Sequence, residues 1–182
     1  TPGLQGGFVW EWKDHGLTQK LPNGSKRFAY GGQFGDTPND GNFVADGLVH
    51  SDLTTHPAMR ELAWVHRPVW VAKAGSKASP QLRIRNHQWF SDLSGMEARW
   101  ELIVDGVSKR SGVLAVPHVA PDSSVDVALP ATIPANCGEA FLSVTWSLRK
   151  ATPWAPKDHV VAWDQVVLKS QKPARVPVQK QQ

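Results

Sequence analysis

A chain of 182 residues has room for one ordinary domain, or for one complete domain and part of another. Its 41% hydrophobic and 20% charged content excludes an intrinsically disordered chain, and its longest apolar runs, such as Val69 to Ala72, are far too short for a membrane-spanning helix. The net charge of +4 is not a nucleic-acid groove: residues 1–68 carry six Lys/Arg against seven Asp/Glu, residues 69–168 ten against nine, and the last fourteen residues four against none.

Along the chain, Thr1 to Gly7 offers neither the basic start nor the apolar stretch of a signal peptide. Gly7-Phe8-Val9-Trp10-Glu11-Trp12 is aromatic and β-prone, and predicts a short strand. A long loop follows, punctuated by Asn23-Gly24, Gly31-Gly32, Gly35 and Pro38-Asn39-Asp40-Gly41. A helix is predicted over about 57–66: Pro57 suits its first position, Met59, Leu62, Ala63 and His66 recur at helical spacing, and Pro68 ends it. Strand, long loop and helix make one unit of a (β/α)₈ TIM barrel, whose functional loops follow the carboxyl ends of the strands. One such unit cannot bury both of its faces. Residues 1–68 are therefore expected to be part of a barrel domain and not a self-sufficient one.

From Val69 the texture changes to short alternating strands. Leu82 and Ile84 alternate with Arg83 and Arg85, and Trp100, Leu102 and Val104 alternate with Arg99, Glu101, Ile103 and Asp105. Asp105-Gly106 predicts a hairpin turn. Val125 and Val127, then Leu142, Val144, Trp146 and Leu148, then Val161 and Trp163, continue the period of two. About seven strands over residues 69–169 predict an antiparallel immunoglobulin-like β-sandwich, without the Cys…Trp…Cys signature of antibody domains. The fold class is thus mainly β, with the sandwich preceded by one strand-loop-helix unit of a (β/α)₈ TIM barrel. Residues 170–182 read as a polar linker or tail. The single cysteine, Cys137, has no partner for a disulfide or a zinc site, and a reducing, cytoplasmic setting is expected.

The run Gly6-Gly7-Phe8-Val9-Trp10-Glu11-Trp12-Lys13-Asp14 closely resembles the end of the last barrel strand in β-galactosidases of glycoside hydrolase family 2. The resemblance continues through Tyr30-Gly31-Gly32-Gln33-Phe34-Gly35-Asp36-Thr37-Pro38-Asn39-Asp40, Asn42-Phe43 and Gly47-Leu48-Val49, and ends at His56-Pro57-Ala58. It covers the first third of the chain by motif. The sandwich fits the domain that follows the barrel in that family by order and texture.

The resemblance implies a parent protein that hydrolyses terminal β-D-galactosides such as lactose with retention, using two glutamates carried on earlier barrel strands. No catalytic residue is therefore expected in this chain, which alone should be inactive. Trp10 matches the tryptophan that walls the galactose pocket, where sugar C–H groups pack on an indole. Phe43 matches a residue whose backbone carbonyl binds sodium. Asp46 stands where the best-known members have an asparagine that ligates sodium and contacts the sugar, and its carboxylate still offers an oxygen to a hard cation. Sodium and magnesium are the implied cofactors, with no magnesium ligand identified here. The implied partners are β-galactoside sugars, the remainder of the parent chain and further copies in a homo-oligomer, with neither nucleic acid nor membrane.

Other residues admit plainer readings. Asp36 and Asp40 sit on one loop, close enough in sequence to suggest a glycosidase carboxylate pair, but both suit turn caps. Glu11 and Trp12 read as structural, and His15 stands where the family commonly has glutamine. His50, His56 and His66 lack helix-face spacing and a local acidic partner, and read as solvated or packing residues. Of Trp89, Trp100, Trp146, Trp154 and Trp163, most lie among aliphatic residues and predict core, with Trp154 the candidate for exposure. Two alternatives remain open on sequence: a non-catalytic immunoglobulin-like carbohydrate-binding or structural module, and a family 2 segment of β-glucuronidase or β-mannosidase specificity.

Overall fold

The computed structural model describes residues 3–76 and 78–170, so the predicted tail beyond Ser170 lies outside the described residues. The described residues form two compact units, divided between Val65 and His66.

In the first unit the expected strand at Gly7–Trp12 does not form a ladder. A strand exists only where a neighbour takes its hydrogen bonds. Here the neighbour is the returning chain at residues 44–49. Leu48 N–H donates to the Glu11 carbonyl at 2.8 Å, Val49 N–H to the Trp12 carbonyl at 3.0 Å, and Asp14 N–H to the Val49 carbonyl at 2.9 Å. Lys13 and Val49 form an isolated parallel bridge. The peptides Trp10–Glu11 and Thr37–Pro38 are cis.

The expected long loop contains a hairpin, β1 (Leu17–Lys20) and β2 (Lys26–Ala29), with Lys20 opposite Lys26. Its connection closes around Asn23-Gly24: Leu21 N–H reaches the Ser25 carbonyl at 2.8 Å, and Asn23 Oδ1 accepts from Ser25 N–H at 3.0 Å and Oγ at 2.7 Å. The helix α1 (Pro57–Val65) forms where Pro57 and the apolar spacing place it, but none of its residues is buried within this structure. Among the described residues of the first unit, Ala29 and Val49 are the buried apolar ones.

The second unit is a sandwich of β3 (Val69–Gly75), β4 (Pro80–Asn86), β5 (Met96–Val104), β6 (Val107–Val113), β7 (Ser124–Ala128), β8 (Ala140–Leu148) and β9 (Val160–Lys169). One sheet has the order β3-β4-β7 and the other β6-β5-β8-β9, all pairings antiparallel. Inward residues of both sheets alternate with outward ones, as a two-layer sandwich requires. Leu82, Ile84, Leu102, Leu142, Val144 and Trp146 form the fully buried centre. The Asp105-Gly106 turn joins β5 to β6 with both residues at positive φ, the conformation the right-handed strand twist favours, and glycine supplies it at no steric cost. Asp105 Oδ1 also accepts from Gly138 and Glu139 N–H at 2.9 Å each, tying the hairpin to the start of β8.

Two tryptophan assignments differ from expectation. On β9 the buried parity is Ala162, Asp164, Val166 and Leu168, so Trp163 lies on the other face and is only half-buried. The inversion follows from a buried charge. Asp164 Oδ1 accepts from Arg67 Nη2 at 2.7 Å and its Oδ2 from Val71 N–H at 2.7 Å, while the Arg67 guanidinium stacks 4.7 Å from the Trp70 ring. Trp89 is 72% exposed and Trp154 67%, both on connections between strands, whereas Trp100 and Trp146 are core. Asn86, fully buried at the end of β4, donates through Nδ2 to the Ser91, Val119 and Ala120 carbonyls and accepts from Gln88 N–H, fixing the neighbouring loops. No helix among the described residues is long and apolar enough to cross a membrane.

Candidate functional site

Of the residues expected to carry recognition, Asp46 lies at the crossing of residues 11–15 with residues 44–49, and Trp10 and Phe43 each directly precede one of the two crossing segments. Glu11 N–H donates to the Asp46 carbonyl at 3.3 Å, which puts the peptide after Trp10 against the backbone of Asp46. Gly47 makes the crossing possible, because a Cβ there would lie 2.3 Å from the Asp14 nitrogen and 2.5 Å from the Lys13 carbonyl carbon. Phe43 closes a turn on the same segment, its N–H donating to the Asp40 carbonyl at 3.1 Å and Ala45 N–H to that of Asn42 at 2.9 Å. Trp10 is 75% exposed and Phe43 72%, and Phe8 and Trp12 are exposed as well. Trp12, expected to be structural, is 63% exposed within this unit.

Asp46 has an unusual environment. Its Oδ1 is buried and takes no hydrogen bond. Burying an acceptor without a donor is costly, and a hard cation with oxygen ligands would satisfy it. Among the described residues, no backbone N–H donates to the Phe43 carbonyl either. Both atoms are oxygen donors, the kind a hard cation takes.

The glycine-rich loop is held by its own polar groups. Asp36 Oδ2 accepts from Gly32 N–H at 3.0 Å, and that bond lowers the Asp36 pKa below the usual carboxylate range. Asn39 Nδ2 donates to the Asp36 carbonyl at 2.9 Å, and Asn39 Oδ1 accepts from Gly41 N–H at 3.1 Å. Asp36 thus caps a turn, while Asp40 contributes its carbonyl to the Phe43 turn. Glu11 pairs with His15 at 2.8 Å.

Sequence reasoning missed a cluster around Asp14. Asp14, nearly buried, accepts through Oδ1 from Gly47 N–H at 2.8 Å, and its Oδ2 lies 2.8 Å from His56 Nε2 and 3.6 Å from His50 Nδ1. Burial pushes the Asp14 pKa up, but the His56 hydrogen bond, the Gly47 N–H and the two imidazoles outweigh it and hold the carboxyl below its ordinary value. His50 and His56 do have an acidic partner, then, supplied from 42 residues away in the case of His56. No local spacing could have announced it.

Residues 1–71 match Glycosyl hydrolases family 2, TIM barrel domain, and residues 82–169 match Beta-galactosidase, domain 4. Among curated relatives, the beta-galactosidase of Arthrobacter sp. (strain B7) is 38% identical over 97% of this chain and 18% of its own length. That of Priestia megaterium is 37% identical over 92% of this chain and 16% of its own, and that of Vibrio vulnificus (strain YJ016) 35% over 97% and 17%. The chain belongs to glycoside hydrolase family 2, as a β-galactosidase-type segment that joins the end of the TIM barrel to the β-sandwich domain after it. It spans less than a fifth of the length of these relatives.

Proposed function

We propose that this segment forms a substrate-recognition edge of a retaining β-galactosidase acting on terminal β-D-galactosides such as lactose. Trp10 would present an indole face to the C–H side of the galactose ring. Asp46, through its orphaned Oδ1, and Phe43, through its carbonyl, would hold sodium, with Asp46 also within the sugar subsite. Bound sodium would supply a fixed positive charge that orients sugar hydroxyls. The proton and nucleophile chemistry would come from two glutamates elsewhere in the parent chain, and magnesium from ligands outside this segment. A cytoplasmic homo-oligomer is the assembly this reading favours.

The observation that carries the proposal is the buried, unpartnered Asp46 Oδ1 on the segment hydrogen-bonded beside Trp10. The test is made on the full-length protein with o-nitrophenyl-galactoside. Trp10→Ala should lower kcat/KM at least tenfold, about 1.4 kcal/mol of transition-state binding, with the fold retained. Asp46→Ala should abolish the difference in KM between sodium and potassium buffers. Unchanged kcat/KM in Trp10→Ala, or a sodium response that survives in Asp46→Ala, would sink the assignment. The 182-residue chain alone should give no turnover.

A further inference from the structure

We propose that Asp14, His50 and His56 form a binding site for one divalent cation of the zinc class, separate from the sodium ligands Phe43 and Asp46. Three features carry it: the donor set, its geometry and the rigidity of the loop that supplies it.

Two imidazole nitrogens and one carboxylate oxygen suit zinc and its late first-row neighbours, whereas sodium, magnesium and calcium take oxygen ligands throughout. The three donor atoms all lie within 4.8 Å of one another. A tetrahedral ion with bonds of about 2.0–2.1 Å needs its ligands roughly 3.3 Å apart. The Asp14 Oδ2 distances of 2.8 Å to His56 Nε2 and 3.6 Å to His50 Nδ1 bracket that value, so small side-chain rotations suffice. The two imidazole rings already face the same carboxylate with centroids 3.6 Å apart.

The surrounding hydrogen bonds prepare each ligand. Asp14 Oδ1 is engaged by Gly47 N–H, which leaves Oδ2 as the single coordinating oxygen, the arrangement in which an outer partner orients a metal ligand. The histidine-bearing loop turns back on itself: His50 N–H donates to the Thr54 carbonyl at 2.7 Å, Leu53 N–H to that of His50 at 2.9 Å, and His56 N–H to that of Leu48 at 3.1 Å. Asp52 Oδ1 pins the turn through Thr54 N–H and Oγ1, at 2.9 and 2.6 Å. Val49 is buried and its backbone is bonded on both sides of Lys13, so Asp14 and His50 are fixed to the same crossing. A cavity of about 150 Å³, lined in part by Asp14, Tyr30, His50 and Ser51, adjoins the cluster. It has room for the water that would fill a fourth position, since one water occupies about 30 Å³.

The experiment uses the full-length protein, stripped with a chelator and held in excess sodium and magnesium so that oxygen-only sites are filled. Zn²⁺ is titrated by calorimetry, and Co²⁺ by its visible absorption. The wild type should take up one equivalent of Zn²⁺ that His50→Ala binds at least tenfold more weakly, and the Co²⁺ band of a four-coordinate nitrogen and oxygen site should disappear in that variant. His50 is half exposed, so its removal leaves the fold intact, checked by an unchanged thermal midpoint in the absence of metal. His56→Gln should repeat the loss. Equal stoichiometry and affinity in wild type and His50→Ala would overturn the proposal, whatever becomes of the sodium site.

Discussion

At the scale of single residues, Asp164 is where the sequence pattern and the packing part company. Alternation along β9 favours Val161 and Trp163 as the inward pair, because aspartate is rarely a core residue. The opposite parity is buried because Arg67, nearly a hundred residues upstream, neutralises Asp164, and Val71 N–H uses its second oxygen. Both partners are almost completely shielded from water. Removing one leaves the other as an uncompensated buried charge, so Asp164→Ala should cost about 3–5 kcal/mol, read as a lowered urea midpoint of the chain. Pairing the loss should offset it: Arg67→Met with Asp164→Leu is expected to be more stable than Asp164→Ala alone. If the double variant is the less stable of the two, the charge pair is not what makes this position sensitive. Asp46 and the Asp14 cluster illustrate two degrees of legibility. Asp46 could be named from its place in a matching motif, whereas Asp14, His50 and His56 meet only because the chain doubles back over Gly47.

Among elements, those with strong periodicity were legible and those without it were not. β4, β5 and β8 bury the residues their alternation marks, and the Asp105-Gly106 turn joins β5 to β6 as its composition requires. The β1–β2 hairpin escaped because its four-residue strands are mostly exposed and carry no apolar alternation, leaving Asn23-Gly24 as their only trace. Strand pairing adds a testable contact that periodicity cannot supply. Arg83 and Asp126 are directly opposite in the β4–β7 register and form two parallel bonds of 2.8 Å. The Arg83 hydrogen bond lowers the Asp126 pKa from 3.8, so the bridge stabilises the folded chain above that value and is lost as pH falls through the lower folded pKa. Between pH 5 and pH 2 the urea midpoint of Asp126→Asn should therefore fall less than that of the wild type. Identical acid limbs would mean that this surface pair contributes nothing, as many exposed pairs do.

For the molecule as a whole, the two units differ in what holds them. Residues 66–170 enclose a continuous core running from Val69 through Leu82, Trp100, Leu142 and Trp146 to Leu168. Residues 3–65 bury only Ala29 and Val49 among apolar side chains, and α1 buries none. Ordering each backbone residue costs about 1–2 kcal/mol, which burial on that scale cannot offset, whereas a two-layer core of the sandwich's extent can. The sequence already pointed this way, since one strand-loop-helix unit has no second layer of its own. Expressed separately, residues 66–170 should unfold in one sigmoidal urea transition with Trp146 as the reporter, and its amides on β5 and β8 should exchange slowly. Residues 3–65 should show no cooperative transition and near-complete exchange within minutes. A sharp transition from residues 3–65 alone would mean that the glycine-rich loop and its hydrogen-bonded turns stabilise a fold that hydrophobic burial does not explain.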